Sequence, residues 1–231
     1  MIKLPIGIFI IQTQENGIMA RGRPRKIKPE EALETSMRMF WDKGYDGTSM
    51  NDIATATGVA KPGLYANFGD KDALFEKALT RYFDELGAPA LNILANSSAP
   101  SREVLRDYLN MIVDAALDPS CPGGCFIVNS MVECNAHPKA MQDQLLRIDQ
   151  RRQQAFATRM ERAVQNGELP KNTDCRAMAV FFASMILSVA LQARAGTKKE
   201  TLLQIVETSL LVLGSEPVIS RTHKIDVLVT G

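Results

Sequence analysis

TSMNDIATATGVAKPGLYANF, residues 48 to 68, decides how the rest of the chain is read. Thr48 and Ser49 are N-cap residues ahead of Met50, Ile53 and Ala54, which recur at helical spacing on one face. Gly58 stands where a helix ends in a positive φ, Val59 plugs the angle after it, and Pro62 suits the first turn of a new helix. The pattern therefore predicts a helix, a turn over Thr57 to Ala60, and a short helix from Lys61 to about Asn67. Leu64 and Phe68, four apart, mark its buried side and leave Lys61, Gly63, Tyr65, Ala66 and Asn67 outward. So short a helix is marginal alone and must be docked by its neighbours.

That geometry is a helix-turn-helix, in which the second helix lies in a DNA major groove and the first crosses the backbone. The surrounding residues carry a denser pattern. Trp41-Asp42-Lys43-Gly44-Tyr45, Thr48 to Ala54, Thr57-Gly58-Val59, Lys61-Pro62-Gly63-Leu64-Tyr65, Asn67-Phe68 and Asp70 to Phe75 together resemble the DNA-binding domain of TetR-type transcriptional repressors, over roughly residues 29 to 80. The resemblance implies an all-α homodimer that binds a palindromic operator in double-stranded DNA and is released by a small-molecule inducer. The candidate DNA-contacting residues are Arg23, Arg25, Thr48, Ser49, Lys61, Pro62, Gly63, Tyr65, Ala66, Asn67 and Lys71. Of these, Tyr65 and Lys71 are expected on phosphates, and Lys61, Gly63 and Asn67 on base edges.

The whole chain of 231 residues is 45% hydrophobic and 23% charged, which suits a globular protein of one or two domains. Its formal net charge is only +1, so DNA binding cannot be argued from bulk electrostatics and must rest on placement. Arg21, Arg23, Arg25, Lys26 and Lys28 crowd ahead of the helical pattern without an intervening acid, and read as an arm for phosphates or a minor groove. Before them, the apolar run Ile6 to Ile11 is too short for a bilayer and is followed by no small-residue cleavage site. A floppy extension is expected there, in a protein of cytoplasmic location with no membrane partner.

The remaining chain reads as helices throughout. Pro29-Glu30-Glu31 opens the first, with Ala32, Leu33, Met37, Phe40 and Trp41 as its apolar side, Trp41 being expected as core of the small domain. Asp70 caps a helix from Lys71 to about Leu86, and Gly87 to Ser101 reads as a linker. The expected organisation is thus an extension and basic arm over 1–28, a DNA-binding domain with its connecting helix over 29–86, a larger helical ligand-binding and dimerisation domain over 101–214, and a tail over 215–231. In the second domain a helix from Pro138 to Asn166 carries Arg147, Arg151, Arg152, Arg159 and Arg162, expected on a solvated face among Asp143, Asp149 and Glu161. The next two, Asp174 to Arg194 behind an Asn172 or Thr173 cap and Lys198 to Leu213, are apolar enough to form a four-helix dimer interface with a second copy, and Leu210 is expected within it.

The expected ligand pocket is walled by Tyr108, Met111, Phe126, Phe156, Phe182 and Met185, residues that read equally as core. Cys125 follows two glycines at the start of a helix, where a thiolate is favoured, and Cys121 would be its resolving partner. Gly124-Cys125-Phe126 resembles the Gly-Cys-Leu segment of electrophile-sensing members of that family, with Phe126 in place of the leucine; the competing reading is a small buried hydrophobe. Cys121, Cys125, Cys134 and His137 match no standard zinc spacing, so neither metal nor cofactor is expected. Catalysis finds no support either: the chain has only two histidines, and no G-x-S-x-G, H-E-x-x-H or phosphate-cradling loop. A purely architectural DNA-binding protein is disfavoured by the near-neutral charge and the large second domain.

Overall fold

The computed structural model describes residues 28–214, and every regular element among them is helical. Arg23, Arg25 and the tail over 215–231 lie outside the described residues. Helix α1 (Pro29–Lys43) begins with proline and two acids and ends at Gly44. Helix α2 (Met50–Thr57) starts at a reciprocal cap: Ser49 Oγ accepts from the Asp52 amide at 3.2 Å and the Ser49 amide donates to Asp52 Oδ2 at 3.0 Å. It stops at Gly58, whose φ of +65° is the left-handed conformation that glycine adopts without a Cβ clash. Helix α3 (Lys61–Phe68) has Pro62 in its first turn and is tied down at its far end by Lys77, whose Nζ donates to the Phe68 carbonyl at 3.0 Å. Helix α4 (Lys71–Tyr82) is capped by the Asp70 side chain on the Ala73 amide at 2.9 Å.

Phe40, Ile53, Leu64, Leu74 and Phe75 close a common core beneath α1 to α4, so the marginal α3 is held by tertiary packing. Helix α4 then widens into one π turn, Phe83–Gly87, and continues directly as α5 (Ala88–Asn96). The break expected from Gly87 to Ser101 is therefore mostly helix. Leu91 and Leu94 supply a buried face, Pro89 falls in the first turn where it is tolerated, and the Asn and Ser residues that suggested a loop come only at the end.

Helices α6 (Ser101–Ala116), α7 (Phe126–Val132), α8 (Lys139–Gln165), α9 (Cys175–Arg194) and α10 (Lys199–Ser209) complete the second domain. Helix α9 packs against α8, α6 and α10. Its cap is Asp174, accepting from the Ala177 amide at 2.9 Å, rather than Asn172 or Thr173. By length and composition α9 is long and apolar enough to cross a membrane, with a mean hydropathy of 1.7 in its most apolar window, yet it is the helix that α6, α8 and α10 surround.

The arginine row of α8 is not one solvated face. Arg147 and Arg151 are exposed, whereas Arg152 and Arg159 are buried. The guanidinium of Arg159 donates to the carbonyls of Leu94 at 2.8 Å and Ser97 at 2.7 Å, and so satisfies the open C-terminal end of α5. Leu210 is likewise fully buried within the protomer, which removes it from any interface; the exposed apolar residues of the last two helices and the short turn after them are Val180, Leu191 and Leu211.

Candidate nucleic-acid interface and effector cavity

The outward face of α3 carries Lys61, Pro62, Tyr65, Ala66 and Asn67, all exposed, with Gly63 half-buried beside them. Asn67 Nδ2 donates to the Gly63 carbonyl at 2.6 Å, which holds the amide along the helix surface. Ser49 is exposed at the head of α2. Thr48 is not: it is 0% exposed, and its hydroxyl donates between the carbonyls of Met39 at 3.2 Å and Gly44 at 2.9 Å. It fastens the end of α1 and has no access to DNA. Lys71 is half-buried at the start of α4 with its Nζ 4.0 Å from the centre of the Tyr45 ring, so its charge is held at the edge of the helix-turn-helix by a cation–π contact. The Tyr45 hydroxyl in turn donates to Asp72. Burial, reinforced by that bond and by the carboxylate charge, holds the phenol well above its ordinary range and keeps it a donor.

A cavity of about 130 Å³ lies where α1, the π turn, α5, α6, α8 and α9 meet. Tyr108 and Met111 line it, as do Cys121 and Cys125. Phe126, Phe156 and Phe182 do not: they are buried in the core, Phe156 stacked on Phe182 with ring centres 6.2 Å apart, and Met185 is packed against that core. The wall that sequence reasoning missed comes from small and distant residues, among them Gly87, Ala90 and Ala115, together with Trp41 from α1 and Arg152 from α8.

Trp41 joins the cavity to the DNA-binding domain. Its ring meets Tyr82 edge-on at 5.2 Å, and its Nε1 donates to the Gly123 carbonyl at 2.9 Å. Two arginines complete the junction: Arg38 donates to the Ser120 carbonyl at 2.7 Å, and Arg194 of α9 to the Asp42 carbonyl at 2.8 Å. Gly124, at a φ of +66°, lets this loop approach α9 so closely that a Cβ would stand 3.1 Å from the Ala190 carbonyl oxygen. The loop between α6 and α7 thus forms cavity wall on one side and a bracket for α1 on the other.

Cys125 precedes α7 as its cap residue, and the Tyr82 hydroxyl donates to its sulfur at 3.5 Å. Burial raises the Tyr82 phenol well above its usual range, with the neighbouring Cys125 adding to the effect. Burial also pushes the Cys121 thiol up, which makes it a poorer thiolate at neutral pH. Among the described residues no group of three or more His, Cys, Asp or Glu side chains converges as a metal site would require.

The comparisons with known proteins agree with this arrangement. Residues 32–78 match the family described as bacterial regulatory proteins, tetR family, and residues 101–208 match the tetracyclin repressor-like C-terminal domain. The chain is 32% identical over 201 residues to the HTH-type transcriptional repressor ComR of Escherichia coli strain K12, covering 83% of this chain and 91% of that protein. It is 29% identical over 193 residues to the HTH-type regulator YezE of Bacillus subtilis strain 168, covering 83% and 99%. Among solved structures, a triple cysteine mutant of the TetR-family regulator CifR, in complex with a 26-base-pair operator, superimposes with a TM-score of 0.75 at 30% identity, covering 82% of this chain and 98% of that one. With a capped helix-turn-helix, a helical effector domain and relatives alike along most of their length, the chain belongs to the TetR family of helix-turn-helix transcriptional regulators.

Proposed function

We propose that the protein is a cytoplasmic repressor that binds a palindromic operator as a homodimer and leaves it when a small molecule enters the cavity between α1 and α6. The observation that carries this reading is the shared wall: the loop that closes the cavity is also bonded to α1 through Arg38 and Trp41. A ligand that moves the loop must then move α1 or break those bonds. Because the recognition helices of a dimer must sit about 34–36 Å apart, a small rotation of each DNA-binding domain suffices for release. Lys61, Gly63 and Asn67 are assigned to base edges, Ser49, Tyr65 and Lys71 to phosphates, and Arg23 and Arg25 to the minor groove. The test is titration with DNA flanking the protein's own gene against random DNA of equal length, where a specific repressor binds its operator at least about a thousandfold tighter.

A second reading is favoured by one contact, the Tyr82 hydroxyl on the Cys125 sulfur inside the same cavity. In that reading modification of Cys125 displaces the loop in place of a bound ligand. Substitution of Cys125 by Ser separates the two: a ligand-responsive repressor keeps its induction, and a thiol-responsive one loses it.

A further inference from the structure

The cavity described above contains one polar group that the fold leaves unsatisfied. Arg152 is 6% exposed and lines the cavity. Its Nη2 is committed, donating to Asp149 Oδ1 and, at 3.4 Å, to the Met131 sulfur, while its Nε is buried with no hydrogen-bond partner in the protein. A buried N–H donor without an acceptor is unfavourable and is rare in native interiors. We propose that this donor is the recognition point of the effector, and that the cavity selects a compact, uncharged, largely apolar molecule with one carbonyl-type oxygen that accepts a hydrogen bond from Arg152 Nε. The inference rests on the reading of this cavity as the effector site.

Size, apolarity and charge set the ligand class. An apolar cavity of about 150 Å³ takes a benzene molecule, so about 130 Å³ admits a single six-membered ring or its equivalent. Met111, Ile112, Leu91 and Ile186 around it offer such a ring no polar partner. The acceptor must be neutral because the charge of Arg152 is already balanced by Asp149, and the other ionisable groups on the wall, Glu85 and Asp118, are acids. Glu85 is paired with Arg81, and Asp118 accepts from the Ser120 amide at 2.8 Å, so neither supplies positive charge to an anion. Tyr108 stands on the same wall as a second donor: burial holds its phenol protonated against the opposing pull of the Arg152 charge.

The experiment uses the full chain and three probes of nearly equal shape: cyclohexanone, methylenecyclohexane and cyclohexanecarboxylate, titrated by calorimetry. In the parent, cyclohexanone is expected to bind more tightly than the carboxylate. Arg152→Met, which keeps the apolar stem, should weaken cyclohexanone at least about tenfold relative to methylenecyclohexane, as loss of a matched hydrogen bond in a buried site does. Asp149→Asn leaves Nε in place but uncovers the guanidinium charge, and should shift preference toward the carboxylate at least about tenfold. Equal losses for ketone and hydrocarbon in Arg152→Met, a parent that prefers the carboxylate, or no binding of any probe would overturn the proposal. If Arg152→Met fails to fold, the Asp149→Asn comparison decides alone. Ala115→Phe, which fills the cavity, separates this inference from the reading beneath it: probes that bind unchanged there bind elsewhere and remove the effector site itself. Probes excluded by Ala115→Phe yet indifferent to Arg152 and Asp149 remove only the acceptor rule.

Discussion

Placing an aspartate at position 184 tests the dimer at the point where the two protomers are proposed to meet. Val180, Ser184 and Leu191 lie at i, i+4 and i+11 along α9, hence on one face, and all three are exposed, Val180 by 44% and Leu191 by 41%. Ser184 sits inside that apolar stripe with its hydroxyl turned back to the Val180 carbonyl at 2.8 Å. In the isolated protomer Ser184→Asp is a surface substitution, expected to change stability by no more than about 0.5 kcal/mol. Across a two-fold axis the change occurs twice. An uncompensated buried carboxylate costs about 3–5 kcal/mol, so the pair costs about 6–10 kcal/mol, or roughly four to seven orders of magnitude in association. A dimer of nanomolar affinity would then dissociate at protein concentrations of about 10 µM or less. Sedimentation equilibrium reads the mass, circular dichroism verifies the helices, and anisotropy with full-palindrome against half-site DNA reads the functional loss. Leu210→Asp is the contrast, because that side chain is 0% exposed and its replacement should unfold the domain. A folded Ser184→Asp protein that sediments as a dimer and holds a full palindrome would refute the assignment of this face.

Three further outcomes are expected. Asn67→Ala should relax choice at one or two operator positions at a cost of roughly 1–3 kcal/mol, whereas Lys71→Ala should weaken all DNA alike and lower the salt slope by about one per subunit; an unchanged base preference in an operator pool selected by Asn67→Ala removes that residue from base readout. Thr48→Val should strip two carbonyls of their donor, lowering stability by about 1–2 kcal/mol and the melting temperature by about 2–8 °C, with operator preference intact in the folded fraction. A Thr48→Val protein of parental stability with altered operator choice would return that residue to the DNA surface. In competitive thiol labelling Cys125 should react ahead of Cys121 at neutral pH, because the raised Cys121 pKa leaves less thiolate there; Cys121 labelling should gain as pH rises beyond the usual thiol range, and a Cys121 that labels first at pH 7 contradicts this order.

What the sequence disclosed was local. Ser49 with Asp52, Gly58 with Pro62, and Asp70 each act on neighbours within a turn, and the structure uses them as helix caps and breaks at those positions, save that Thr48 turns inward. The cavity was mostly hidden because its wall is assembled from segments far apart in the chain and contains small residues such as Gly87 and Ala115, which make space by what they lack. Aromatic residues drew attention instead, and Phe156 and Phe182 prove to fill the core. Arg152 and Arg159 were misread for a related reason: one helix contains both exposed and buried arginines, and only the distant partners, Asp149 with Met131 for the first and the α5 carbonyls for the second, tell them apart. Periodicity alone does not supply such partners.

The bracket on α1 also has an order in time. Trp41 waits for a carbonyl that is synthesised 82 residues later, and the Asp42 carbonyl waits 152 residues for Arg194. At roughly 5–20 residues per second, the second interval lasts about 8–30 s. During it the helix-turn-helix is already complete in the nascent chain, with every cap and core residue it needs made before Tyr82. The part that grips DNA is therefore finished before the part that governs it, and a polypeptide cut short ahead of Arg194 would carry a DNA-binding head without the arginine that fastens α9 to α1.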